Sequence, residues 1–139
     1  MNDVVATNRE KVLRMEAAIA SMPQIDIPVR HYWADGIYAR EATIPAGVTA
    51  AGKIHKYSHL VIISKGAIAV MTPDGLREIR APATFVAPPG TKRAAYAIEE
   101  TVWTTIHGTH ETDLDKLERH FIARDFAEYD AHIAMLEAK

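Results

Sequence analysis

Residues Gly47–Gly66 read GVTAAGKIHKYSHLVIISKG, and after an intervening hairpin they are answered by Pro88–Ala97, PPGTKRAAYA. His55 and His59 lie four apart, so on an extended chain both imidazoles project to the same face. The apolar run Leu60–Ile63 that follows sets that face against a core. Two imidazoles aimed into a small β-structure form a candidate site. The plainer alternative makes His55 a polar loop residue and His59 a core histidine hydrogen-bonded to backbone or water, and the spacing alone leaves both open.

Outward from this stretch the chain changes period twice. Thr7 followed by Glu10 is a capping-box pattern, and Val12, Met15 and Ile19 recur at helical spacing until Met22-Pro23, which predicts an amphipathic helix over 8–21. From Gln24 the pattern alternates through Ile25, Ile27 and Val29, and Asp35-Gly36 turns into Ile37–Ile44. His59–Met71 reads as a long β-segment interrupted at Gly66, and Thr72-Pro73-Asp74-Gly75 as a hairpin turn, because proline presets a negative φ and glycine accepts a positive one. Leu76–Arg80, Thr84–Ala87, Lys92–Ile98 and Thr101–His107 continue a series of short strands at close spacing, the pattern of a sandwich or small barrel spanning about 24–108. Helical spacing returns over 112–137, through Leu114, Leu117 and Phe121 and then Phe126, Tyr129, Ile133 and Leu136.

Composition fits one globular domain over 1–139, with 48% hydrophobic and 24% charged residues. The absence of cysteine removes disulfide and thiolate chemistry. No apolar run nears membrane-spanning length and no basic-then-hydrophobic leader is visible, so a cytoplasmic protein without a membrane partner is expected. The net charge of −2 argues against a nucleic-acid polymer as partner, but it hides a segregation: residues 46–98 carry a local +5 and residues 109–139 a local −4. No P-loop, dinucleotide-binding glycine pattern or nucleophile elbow occurs.

The order of Gly47, Lys53, His55, His59 and Gly66 resembles the first motif of the cupin superfamily, and Pro88-Pro89-Gly90 with Arg93 resembles the second; together the resemblance covers about residues 36–108. It implies a mainly β double-stranded β-helix, a jelly-roll barrel, here with an N-terminal helix and C-terminal helices. Many such proteins hold one metal ion through two histidines and a glutamate of the first motif and a histidine of the second. Mapped onto this chain those positions are Lys53, His55, His59 and Arg93, with Ala97 where an asparagine often follows, so two of the four keep a metal ligand. A third ligand is expected from elsewhere: His107 first, Glu41 as its substitute. The implied cofactor is one divalent transition metal: zinc, iron, nickel or manganese.

Lys53 and Arg93, standing where ligands are usual, can be read as recognition elements for an anionic small molecule, with Tyr57 beside them. Arg93 has two registers. In one it shares an inward face with Ala95 and Ala97; in the other Lys92, Ala94, Tyr96 and Ile98 point inward and Arg93 is solvated. An inward guanidinium requires a partner acid or a ligand. Lys56 and Lys92 are expected at the solvated surface, as are His110, His120 and His132, while Trp33, Trp103, Tyr32, Tyr38 and Tyr57 read as core or interface aromatics. Leu60 and Ile62, on the face opposite Val61 and Ile63, together with Trp103 and the terminal helices, suggest a homodimer. Three functions follow: a small-molecule site with an enzymatic, metal-assisted role on an anionic substrate; a non-catalytic module that sequesters or senses an anionic metabolite or nucleotide; or a structural, phage-like accessory cupin.

Overall fold

Helix α1 (Asn2–Ala20) opens the chain; its buried residue Val12 is 2% exposed, and Met15 and Ile19 follow on the same side. The computed structural model describes the backbone of residues 2–72 and 75–138 and the side chains of 9–72 and 75–138. The helix begins before the expected residue 8, so Thr7 lies inside it rather than at its cap, and the Thr7 side chain is outside the described residues. Residues 23–28 form no strand. Pro23 and Pro28 each lack the N–H that a ladder needs, and pairing starts one residue after the second of them.

The barrel is built from β1 (Val29–Ala34), β2 (Ile37–Ile44), β3 (Thr49–Ala51), β4 (Ile54–His55), β5 (His59–Lys65), β6 (Ala67–Thr72), β7 (Gly75–Arg80), β8 (Ala83–Ala87), β9 (Ala94–Ala97) and β10 (Thr101–Gly108). One sheet has the order β1-β2-β10-β5-β8 and the other β3-β9-β6-β7, with antiparallel pairing. This is the expected jelly roll. Of the turn between β6 and β7, Pro73 and Asp74 lie outside the described residues, but Thr72 pairs with Gly75 and its hydroxyl donates to the Gly75 carbonyl at 2.7 Å.

Strand alternation decides what faces inward. Val61 and Ile63 of β5, Ile68 and Val70 of β6, Ile44 of β2 and Ala97 of β9 meet in one aliphatic cluster, with Phe85, Ala95 and Trp103 packed against it. Each fully buried Val or Ile stabilises the fold by about 1.5–3 kcal/mol, so this cluster anchors one end of the barrel. Moving along β5 from Ile63 through Val61 leads to His59 on the same face, and along β10 from Trp103 through Thr105 to His107. The polar end of the interior lies there.

Helices α2 (Leu114–Phe121) and α3 (Phe126–Glu137) follow, each N-capped by an aspartate, Asp113 and Asp125, that accepts a backbone N–H. Between them β11 (Ile122–Ala123) pairs with β4, an interaction that the helical pattern of the tail does not announce. Charges then fasten the helices. Lys92 bonds Glu16 of α1 at 2.7 Å and the Gly52 carbonyl at 3.0 Å, with its side chain only 8% exposed. Lys56 donates to the Arg119 carbonyl at 3.0 Å and lies 3.8 Å from Glu128, and Arg9 of α1 forms a two-pronged pair with Asp130 of α3. Lys56 and Lys92 are therefore not free surface lysines: their stems are covered by the helices their charges hold.

Candidate metal centre

Three histidines converge at the polar end of the barrel. Ile106 is opposite Leu60 in the β10–β5 ladder, and one further step of that register sets His107 opposite His59. His55 arrives from β4, where its backbone pairs with Ile122 of β11 and its carbonyl accepts the Gly90 N–H at 2.8 Å. One ligand nitrogen from each of His55, His59 and His107 falls within a group no wider than 4.8 Å, and His59 and His107 are 7% and 4% exposed. His55 Nδ1 and His107 Nε2 face each other at 3.2 Å.

This set fits a divalent metal ion in number, chemistry and spacing. Two nitrogens bound to one tetrahedral zinc at about 2.0–2.1 Å lie roughly 3.3 Å apart, and three protein ligands with an open fourth position is the usual catalytic arrangement. His59 Nδ1 lies 3.2 Å from the Tyr57 carbonyl; donating there leaves Nε2 with the lone pair, the orienting contact that ligating histidines use. Ligation also needs neutral imidazoles. Burial, then the charges of His59, His107, Arg93 and Arg40, lowers His55 to about 3; burial, then His59 and His120, lowers His107 to about 4. His59 is lowered too, by burial and by Arg93, against the Tyr57 carbonyl that pulls the other way. His107 Nδ1 is buried without a hydrogen-bond partner among the described residues.

The C-terminal segment completes the site. The Phe121 ring lies 4.1 Å from that of His107, and the Phe121 carbonyl accepts the Lys56 N–H at 2.7 Å. Tyr57 stacks on His120 at 5.0 Å and meets Phe121 and His132 edge-on. Its ring is packed beneath the tail, which corrects its expected place beside a ligand. His132 is half-buried, its Nε2 without a partner among the described residues, and so is not a surface residue, whereas His120 is exposed and His110 pairs with Asp35 at 3.4 Å. Phe121 and β11 escaped sequence reasoning; the only trace of Phe121 was its helical spacing from Leu117.

The remaining expected residues divide. Lys53 is exposed and ion-paired with Glu118 of α2, which takes up the charge expected to meet an anionic ligand at the barrel mouth. Glu41 precedes the buried Ala42 and lies on the other, outer face of β2, opposite Thr104 in β10. One residue of strand period removes it from the histidines. Arg93 takes the inward register: Ala95 and Ala97 pair with Val70 and Ile68 of the core, while Tyr96 and Ile98 are 46% and 41% exposed. Its guanidinium lies over the Phe85 ring at 5.5 Å, and burial lowers its pKa.

No protein-family model matches the chain, and no curated protein matches it in sequence. Solved structures do match in shape. KdgF from Halomonas sp. aligns with a TM-score of 0.53 at 16% identity, over 67% of this chain and 90% of that one. A cupin superfamily protein from Desulfitobacterium hafniense aligns at 0.51 and 10% identity, over 63% and 82%. An acetylacetone dioxygenase from Acinetobacter johnsonii aligns at 0.50 and 16% identity, over 63% and 66%. Two antiparallel sheets in jelly-roll order, an inward histidine group at one end, and these likenesses together establish the chain as a cupin in fold.

Proposed function

We propose that His55, His59 and His107 hold one divalent transition metal ion, and that the barrel is a small-molecule site with an enzymatic role carried through that ion. The observation that carries this reading is the convergence of three imidazoles from separate strands, two of them buried, within 4.8 Å. The acetylacetone dioxygenase of similar fold is, by its name, an enzyme. A bound divalent ion supplies Lewis-acid polarisation of a ligand oxygen or activation of water. The chain's own part is positional. The Tyr57 carbonyl sets the tautomer of His59, the β4–β11 pairing holds His55, and Phe121 covers His107 against water.

Calorimetric zinc titration at pH 6 tests the reading. Three ordinary histidines with pKa near 6.5 would shed about two protons on binding at that pH. With His55 near 3 and His107 near 4, release from those two is expected close to zero. Proton release, read from the buffer dependence of the binding enthalpy, should therefore stay below the one proton that His59 can supply, and release of two protons or more would oppose the burial of the cluster.

The outer face of the five-stranded sheet supports a second copy as partner. Tyr32, Ile37, Leu60 and Val86 lie on it, 48%, 49%, 42% and 64% exposed. Light scattering should give about twice the 15.4 kDa chain mass, and Leu60→Asp should halve it, since a carboxylate buried without a partner is costly. A concentration-independent mass near that of one chain would remove the dimer. Among the described residues no helix is long and apolar enough to cross a membrane.

A further inference from the structure

Arg93 is an inward, half-buried cation with no hydrogen-bond or ion-pair partner among the described residues; its contact is the Phe85 face. No inward position of the described strands carries an aspartate or glutamate: β2 offers Tyr38, Arg40, Ala42 and Ile44, and β10 offers Thr101, Trp103, Thr105 and His107. The acid that could have met it, Glu41, is on the other face of its strand. Three other bases of the barrel are ion-paired, Lys53 with Glu118, Lys56 with Glu128 and Lys92 with Glu16. The field at the histidines is thus positive and uncompensated, since both Arg93 and Arg40 act on His55.

We propose that the molecule taken by this barrel is a small organic monocarboxylate, seated with its carboxylate on the Arg93 guanidinium beside His55, His59 and His107. Leaving a guanidinium partly desolvated without an anion costs free energy that a bound carboxylate recovers through paired, charge-assisted hydrogen bonds. The planar fork suits a carboxylate or a phosphate, but one half-buried arginine balances a single charge. A phosphate near −2 would draw on a second cation, and Arg40, on the same side of β2 as Tyr38, is exposed, so solvent screens its charge. The Phe85 ring beneath the guanidinium keeps its cationic plane in place. The inference rests on the small-molecule reading above, but not on the metal.

The test is a ligand-detected NMR titration of the full chain, zinc-loaded and chelator-treated, with propionate, propionamide and inorganic phosphate. The wild type, Arg93→Met and Arg93→Lys are compared; methionine keeps packing over Phe85, and thermal melts check that each variant is folded. Propionate is expected to bind the wild type, to weaken roughly tenfold to a hundredfold in Arg93→Met, and to recover in part in Arg93→Lys. Propionamide should bind at least roughly tenfold more weakly than propionate. Failure of the metal reading would show as absence of zinc uptake, with Arg93-dependent propionate binding preserved in the chelator-treated protein. Equal binding of propionate by wild type and Arg93→Met, equal binding of propionate and propionamide, or no propionate binding at all would overturn the proposal. Tighter, Arg93-dependent phosphate binding would overturn the carboxylate in favour of a phosphoryl group.

Discussion

His107→Ala is expected to abolish the rise in melting temperature that zinc gives the wild type. An ion that binds only the native state stabilises it by mass action, about 2.7 kcal/mol at a free concentration one hundred times Kd, which for a domain of this size is on the order of 10 °C. Removing one of three ligands leaves two imidazoles, too few to hold the ion against water. His107 is the most informative of the three because it is 4% exposed and belongs to neither sequence motif. His110→Ala is the control: its side chain is 83% exposed and lies outside the cluster, so zinc should stabilise that variant as it does the wild type. The comparison is made by differential scanning calorimetry with and without zinc. Retention of the full zinc shift in His107→Ala would show that the ion binds elsewhere.

Gly66→Ala carries the largest expected loss of stability. Gly66 has φ +92, and a Cβ there would stand 2.2 Å from the Glu100 carbonyl and 2.8 Å from the Thr101 Cα, both backbone atoms. The backbone around it is fixed: the Gly66 carbonyl accepts the Ala81 N–H at 2.9 Å, and Thr101 is fully buried with its hydroxyl on the Ala67 carbonyl. Left-handed backbone alone costs a residue with a Cβ about 1–2 kcal/mol, and the clash brings the total to roughly 3 kcal/mol or more. Gly47 isolates the backbone cost from the clash, because it has φ +83 and a Cβ added there would meet nothing within 4 Å. Urea denaturation should show Gly47→Ala losing only about 1–2 kcal/mol. Equal losses in the two variants would mean that the approach of Glu100 and Thr101 is not a constraint on the fold.

Gly66 was legible in the sequence as the end of the motif that the chain resembles, and the inward aim of His59 and the choice of His107 followed from the strands they were placed on, whereas Arg93 was left with two registers. Strand period supplied the face of His59 and His107, since a residue's face follows from its parity once a buried neighbour is known; His55 lies on a separate strand beyond a bend within residues 56–58, so parity with His59 does not place it. The same rule shows why Glu41 was misplaced: Ala42 and Ile44 are buried, so the odd position faces out. What was not legible depends on contacts between distant segments. A two-residue strand such as β11 has no period to detect, yet it holds His55. The +5 of the barrel and the −4 of the tail suggested an anionic ligand, but the Lys53–Glu118 and Lys56–Glu128 pairs use part of that opposition to bind the tail. Lys92 is taken up in the same way by Glu16 of α1. Arg93, half-buried inside the barrel and without an acid among the described residues, is left to express it toward a ligand.

The central claim is that the three histidines are a metal centre, and the metal content of tag-free protein tests it most directly. After zinc, nickel, iron and manganese have each been offered in excess and unbound ion removed, elemental analysis should find close to one ion per chain for at least one of them and close to none in His107→Ala; near-zero content of every metal in the wild type would contradict the account.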